Sequence, residues 1–139
     1  YITMKDCIFC KIIKKEIPSD IVFEDSKVIA FLDINPASKG HTLVMPKNHY
    51  ELVSEMSDDD CKHLMVSIKR ISDALMKLNQ GLNIVQNNKK VANQLVPHVH
   101  FHLIPRNDKD GIKIGEWAHV KYKDNEASNI IKKIKEFIE

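Results

Sequence analysis

No stretch of this sequence approaches the ~20 consecutive apolar residues of a membrane span, and its first residues lack the charged, apolar and small-residue blocks of a signal peptide. These absences point to the cytoplasm. A dense basic stripe is also missing: 21 Lys and Arg are spread among 19 Asp and Glu, for a formal charge of +2. The electrostatic footprint of a nucleic-acid polymer binder is therefore not present. Cysteine is scarce at three residues, an odd number that leaves one over from any disulfide framework, in a chain long enough to fold without staples. Glycine (4) and proline (5) are few. With 43% hydrophobic and 29% charged residues, the composition is that of an ordinary globular protein and not a disordered one. A chain of 139 residues fits one domain, which can bury roughly two-thirds of its unfolded surface.

No internal repeat or long linker interrupts the chain. Residues 1–6 are expected to be a tail, with Tyr1-Ile2-Thr3 ahead of Met4 a remnant of expression; residues 7–139 are expected to form one domain with a variable segment from about residue 107. A short helix is predicted from Cys7 to Lys15, with Ile8, Ile12 and Ile13 at helical spacing and Pro18 as its stop. Ile21 to Glu24 and Val28 to Asp33 read as a hairpin about Asp25-Ser26-Lys27, and His41 to Met45 as a third strand ended by Pro46. Ser57-Asp58-Asp59-Asp60 is an N-cap followed by acids that favour the positive end of a helix dipole. That helix is predicted to run to about Asn79, with Cys61, Leu64, Met65, Ile68, Ile71, Leu75 and Leu78 on its apolar face. Cys61 is most simply a small core residue. Gly81 reads as a helix stop, Leu82 to Gln86 as a strand, Asn87 to Gln94 as a polar loop, Val96 to Ile104 as the last core strand, and Ser128 to Glu139 as a final helical stretch. The fold class is α+β: an antiparallel meander sheet with one long and one short helix packed on it.

The informative motif is His98-Val99-His100-Phe101-His102-Leu103-Ile104-Pro105. Strand geometry sends alternate side chains to opposite faces, so three imidazoles share one side while Val99, Phe101 and Leu103 enter the core. A solvated polar face accounts easily for one histidine and poorly for three in strict alternation. Two chemistries use such a row. The three rings could hold one metal that activates water. Alternatively, a central imidazole attacks phosphorus, held in one tautomer through its other nitrogen, while a neighbour donates to phosphate oxygens. Asn87, Asn93 and Gln94 supply neutral donors suited to phosphate oxygens, and no carboxylate stands nearby in sequence to serve a catalytic metal. Cys7 and Cys10 form a tight Cys-x-x-Cys pair, which supplies only two of the four ligands of a zinc site; a thioredoxin-like reading lacks the surrounding strand-turn-helix pattern.

With these motifs the chain resembles the histidine triad (HIT) family of nucleotide hydrolases and transferases. Cys7-Ile-Phe-Cys-Lys-Ile-Ile, Ala30-Phe-Leu-Asp-Ile, Lys39-Gly-His-Thr-Leu-Val-Met-Pro-Lys-Asn-His and the triad itself follow one another in the family's order over residues 7 to 106. The nearest likeness is to the small bacterial-type branch related to purine nucleoside phosphoramidases, which implies a HIT-like fold and a homodimer. The resemblance implies that His100 is the nucleophile, forming a covalent nucleotidyl-histidine that water resolves to a nucleoside monophosphate. It makes His102 a phosphate contact, and His41 a catalytic partner close to His100. Asp33 matches the carboxylate for the ribose hydroxyls, its plain reading being a strand-end cap. Phe9, Phe31 and Ile34 match the walls of the base pocket, although periodicity alone makes each a core residue. Asn87, Asn93, Gln94 and Leu95 match positions on the phosphate side. Leu95 stands where many nucleoside phosphoramidases carry a hydroxyl, so a contact to the leaving group is lost, and Asn93 replaces a usual glycine at little cost because asparagine tolerates left-handed backbone.

The same resemblance completes the Cys7 and Cys10 pair with His49 and His98, a closed Cys₂His₂ set suited to structural zinc. The implied function is hydrolysis of a purine nucleotide phosphoramidate or phosphoanhydride, with no organic cofactor, nucleic-acid polymer or membrane as partner. Dinucleoside polyphosphate hydrolysis and a non-catalytic nucleotide- or partner-binding role are the alternatives. His63 and His119 have no evident partner and read as surface residues; Trp117 lies in the segment outside the resemblance.

Overall fold

The computed structural model describes residues 4–138; the expectation for Tyr1 to Thr3 and the final Glu139 lie outside the described residues. The element order is α1 (Ile8–Ile13), β1 (Ile21–Glu24), β2 (Val28–Leu32), β3 (Thr42–Pro46), α2 (Asp58–Leu78), β4 (Gly81–Gln86), β5 (Phe101–Arg106) and α3 (Glu126–Phe137), with short 3₁₀ turns at Val53–Glu55 and Lys90–Ala92. The strands form one antiparallel sheet in the order β1-β2-β3-β5-β4. The meander therefore runs through β1, β2 and β3. β5 then enters between β3 and β4, because the 21 residues of α2, about 30 Å long at 1.5 Å per residue, carry the chain across the sheet before β4 begins.

Alternation in the central strands explains both cores. Val28, Ala30 and Val44 face α2, where they pack with Leu64, Ile68, Ile71, Val99 and Leu103. The intervening Ile29, Phe31, Leu43 and Met45 face α1 and pack with Cys7, Phe9, Cys10 and Ile12. Strands covered on both sides read as continuous apolar runs, as Val28–Leu32 and Thr42–Pro46 do. Burying a side chain such as Ile68, wholly inaccessible here, contributes roughly 2 to 3 kcal/mol.

Two residues expected on the buried stripe of α2 are exposed: Met65 and Leu78. Met65 sits on the shoulder of the line Leu64, Ile68, Ile71, and Leu78 closes the helix, where Asn79 Nδ2 caps the Leu75 carbonyl at 2.9 Å. Cys61 is partly buried against the α2 core. Gly81 does not stop the helix but starts β4. The third helix begins at Glu126, earlier than expected, and none of its residues is buried. The turn that follows β5 is held at the sheet: Arg106 donates through Nε and Nη2 to Asp110 at 2.8 and 3.0 Å, to the Ile112 carbonyl and to Asn83 Oδ1. Among the described residues no helix is long and apolar enough to cross a membrane.

The largest departure is at the triad. Residues 96–100 are not strand, and β5 begins at Phe101. Pro97 has no N–H to give to a ladder, the His98 N–H bonds to the Val96 carbonyl at 2.8 Å, and the Val99 N–H bonds to Tyr50 O at 2.7 Å. His98 and His100 thus stand on a loop stitched to the 46–50 segment, and only His102 is on the strand.

That stitching extends to the start of α2. Ser57 caps the helix by accepting from the Asp60 N–H at 3.1 Å, and the buried Asp60 carboxylate accepts from Tyr50 Oη at 2.6 Å and Asn48 Nδ2 at 2.9 Å. The two donors flank His49 in sequence. Tyr50 and Asn48 hold the Asp60 carboxyl below its ordinary value. Such a group stabilises the fold fully above the unfolded carboxylate value of about 3.9, and the contribution is lost as pH falls through the lower folded value. Asp60→Ala is expected to cost about 2 kcal/mol at pH 7, the effect of leaving charge-assisted buried bonds unmade. Urea titrations of parent and variant should converge as pH is taken below about 4; a gap that stays constant with pH refutes the role given to the carboxylate.

Candidate functional site

Register places His102 opposite Leu43 on β3 and Val85 on β4, with Leu43 opposite Phe31 on β2. Directly paired residues share a face, so this row looks towards α1. The Phe9 ring of α1 meets His100 edge-on at 5.0 Å between centroids and Phe31 at 5.8 Å. Between them opens a cavity of about 300 Å³ lined by Ile8, Phe9, Ile12, Ile17, Pro18, Ser19, Phe31, Leu32, Asp33, Ile34, Asn35, Leu43, Leu95, Val96, His100 and His102. It has an apolar body with a carboxylate and two imidazoles on its wall, the usual make-up of a small-ligand site.

Hydrogen bonds fix the tautomers. His100 Nδ1 lies 2.7 Å from the His98 carbonyl; a carbonyl only accepts, so Nδ1 carries the proton and Nε2 keeps its lone pair. The Ala37 N–H donates to His41 Nδ1 at 3.0 Å, which leaves the His41 proton on Nε2, directed at His102 Nδ1 2.9 Å away. The neutral His102 therefore carries its own proton on Nε2. Burial lowers the pKa of His41 and of His100 below the ordinary histidine value. Burial, with His100 and His41 alongside, pushes His102 down to about 4. All three rings are neutral at pH 7, and the site offers one nucleophilic nitrogen beside one N–H donor.

Asp33 follows β2, with its N–H on the His41 carbonyl. One carboxylate oxygen accepts from the Asn35 N–H at 2.8 Å and the other lies 3.6 Å from His41 Nε2. A carboxylate does therefore stand by the histidines, brought there by folding although distant from the triad in sequence. Among the described residues, Asp33, His41 and His102 form one group able to hold a metal, and Cys7, Cys10, His49 and His98 another; no group unites the three triad imidazoles. The geometry thus corrects the reading of one metal held by His98, His100 and His102.

The second group is tightly convergent. His98 Nε2 donates to Pro46 O at 2.9 Å, turning the unprotonated Nδ1 towards Cys7 Sγ at 3.5 Å, Cys10 Sγ at 3.6 Å and His49 Nδ1 at 3.1 Å. Cys10 Sγ is 3.3 Å from His49 Nδ1. A tetrahedron with metal bonds of about 2.0 to 2.3 Å has edges of about 3.3 to 3.8 Å, so the spacing and the soft donor set fit a zinc-like ion. Burial and the neighbouring Cys7 push the Cys10 thiol up to about 12; a cation at the centre reverses that preference, since the ligand is the thiolate.

Of the residues singled out from sequence, Phe9, Phe31, Asp33, Ile34, Leu95, His100 and His102 line the cavity, and His41 stands behind His102. Phe9 and Phe31 are also core residues. Asn87, Asn93 and Gln94 do not line this cavity. Gln94 is buried and spent on the loop, accepting from the Lys89 N–H at 2.7 Å and donating to the Glu51 carbonyl at 2.7 Å. The Asn87 side chain donates to the Asn93 carbonyl. Asn93 takes the left-handed backbone expected of it, with φ 69°. His63, read as unpartnered, contacts Asp25 at 2.8 Å, and His119 is exposed. Sequence reading missed Ser19, whose buried hydroxyl has no hydrogen-bond partner among the described residues yet belongs to the cavity wall; its position directly after Pro18 gave no signal. Leu43 could have been found, being the strand neighbour of Phe31.

Known proteins agree with this architecture. A HIT domain model matches residues 14–109. The chain is 51% identical over 132 residues to an uncharacterised HIT-like protein of Methanocaldococcus jannaschii, covering 93% of this chain and 98% of that one. It is 44% identical over 110 residues to an adenosine 5'-monophosphoramidase of Schizosaccharomyces pombe, covering 78% and 81%. The crystal structure of a HIT family member from Bacillus subtilis superposes with a TM-score of 0.89 at 42% identity, covering 96% and 98%. A chain with these matches, and with its histidines fixed in this way, belongs to the HIT domain family.

Proposed function

We propose that this protein hydrolyses purine nucleotide phosphoramidates, and related phosphoanhydrides, through a nucleotidyl-histidine formed on His100. The observation that carries the reading is the 2.7 Å contact from His100 Nδ1 to the His98 carbonyl, which leaves the opposite nitrogen free at the wall of a nucleotide-sized cavity. The phosphoramidase activity named for the fission-yeast relative supports the substrate class.

In this mechanism the apolar walls at Phe9, Phe31 and Ile34 receive the base and Asp33 accepts from the ribose hydroxyls. His100 Nε2 attacks the α-phosphorus; the N–P bond forms, the bond to the amine breaks, and the amine leaves with a proton taken from water. His102 donates from Nε2 to a phosphate oxygen, and His41 holds it in that tautomer through Nδ1. Water then attacks the same phosphorus, freeing His100 and releasing the nucleoside monophosphate. Neutral rings suit this work, because a protonated His100 has no lone pair to offer.

The reading includes zinc held by Cys7, Cys10, His49 and His98. Bound there, the ion supplies cross-linking and no chemistry, since four protein ligands leave no open position. It also includes a homodimer, supported by β4, which among the described residues pairs with β5 alone and has an edge available to a second copy. Three free cysteines suit a reducing cytoplasm.

Intact-protein mass spectrometry after a brief incubation with adenosine 5'-phosphoramidate, quenched without acid, is expected to reveal a nucleotidyl adduct on the parent and none on His100→Ala, with kcat reduced by roughly 10³-fold or more in the variant. Turnover that persists in the variant refutes the covalent route. Metal analysis should find one zinc per chain, and chelation should lower the unfolding midpoint before it affects the initial rate. Instant loss of activity with the midpoint unmoved would mean that the metal serves catalysis instead.

A further inference from the structure

A second cleft, of about 290 Å³, adjoins the nucleotide cavity and is lined by Glu51, Lys89, Lys90, Gln94, Leu95 and Pro97. Leu95 belongs to both, its side chain exposed at their common border. On the hydrolase reading a substrate whose phosphorus meets His100 has its sugar and base on the Phe9 and Phe31 side, and Leu95, which both spaces share, gives its leaving group a way into the second one. The cleft carries two ammonium groups and one carboxylate. Lys89 Nζ and Glu51 Oε1 are 3.8 Å apart, an exposed pair of the kind that adds little. Lys90 has no ion pair among the described residues. The net charge facing a leaving group is positive.

The backbone adds an independent argument. Lys89 has φ 74° and ψ 156°, a region occupied almost entirely by glycine because a side chain is strained there. Its N–H is fixed in that conformation by Gln94 Oε1 at 2.7 Å. A glycine would hold the same bond without strain, so a lysine at this point of the loop signals use of its side chain.

Resting on the hydrolase reading above, we infer that this cleft selects nucleotide conjugates whose leaving group carries its own negative charge, with Lys89 and Lys90 as the specificity-determining residues. No hydroxyl stands at position 95 to hydrogen-bond a neutral leaving amine. The shared chemistry is an anion, supplied by a carboxylate or by a further phosphate.

The test compares two matched adenosine 5'-phosphoramidates, one of propylamine and one of β-alanine, with diadenosine tetraphosphate as the phosphate-bearing arm. For the parent, kcat/KM should favour β-alanine over propylamine by tenfold or more, and the preference should shrink with added salt. In the double variant Lys89→Gln, Lys90→Gln it should fall towards unity. Whichever anionic substrate shows the greater lysine dependence identifies carboxylate or phosphate as the natural charge. Lys89→Gly separates charge from folding: its unfolding midpoint should be no lower than the parent's while its preference for the anion weakens. No preference in the parent, or one that survives the double variant, overturns the inference. If the parent cleaves none of the three substrates, the hydrolase reading itself has failed and this one goes with it.

Discussion

Every polar group of His98 is committed, and the residue is wholly inaccessible to solvent. Its N–H reaches the Val96 carbonyl, its carbonyl receives the proton of His100 Nδ1, its Nε2–H goes to Pro46 O, and its Nδ1 faces two sulfurs and a second imidazole. An unpaired group at this depth would cost roughly 1 to 3 kcal/mol, so its position admits little freedom. Two tasks are thereby divided within one short segment. The side chain of His98 organises the Cys7, Cys10 and His49 cluster, while its carbonyl decides which nitrogen of His100 keeps its lone pair. The anchor and the His100 ring are two residues apart in sequence and cannot shift independently.

The same economy governs the other pair. A backbone N–H at Ala37 sets the tautomer of His41, and His41 sets that of His102. Neither step needs a charged group, which matters because burial disfavours the protonated form of both rings. Asp33 opposes that trend only partly, and its carboxylate keeps room to accept from a ligand. The site is thus a set of neutral rings ordered by backbone groups, close to the preorganised donors and acceptors through which enzymes stabilise developing charge.

The sheet and its two packed helices are legible in the chain itself, since apolar alternation expresses them, whereas the grouping of Cys7, Cys10, His49 and His98 is implied by the family resemblance and not by the spacing of the residues. Val96 to His100 shows where that legibility stops. Alternating chemistry there looks like a strand, but Pro97 withholds a donor and Tyr50 takes the Val99 N–H, so tertiary bonds override the pattern while the alternation of faces survives. Gln94 misleads differently: a carboxamide near a phosphate site reads as a ligand contact, whereas its two ends are used to close the loop. Asp33 beside His41, and Asp25 beside His63, are invisible in sequence because the pairing depends on distant segments meeting. Asn93 can be anticipated, since its left-handed backbone is a local preference.

The Asp60 carboxylate joins the first turn of α2 to Asn48 and Tyr50, and Tyr50 O is in turn the acceptor for the Val99 N–H. The helix start, the His49 segment and the base of the triad therefore form one cooperative opening unit in the sense of native-state hydrogen exchange. The amide of Val99, buried and bonded to Tyr50 O, is expected to exchange together with the parting of the 48–50 segment from the helix. The opening of that unit is in this way coupled to the residue that orients the His100 imidazole, and the site keeps its geometry for as long as the unit stays closed.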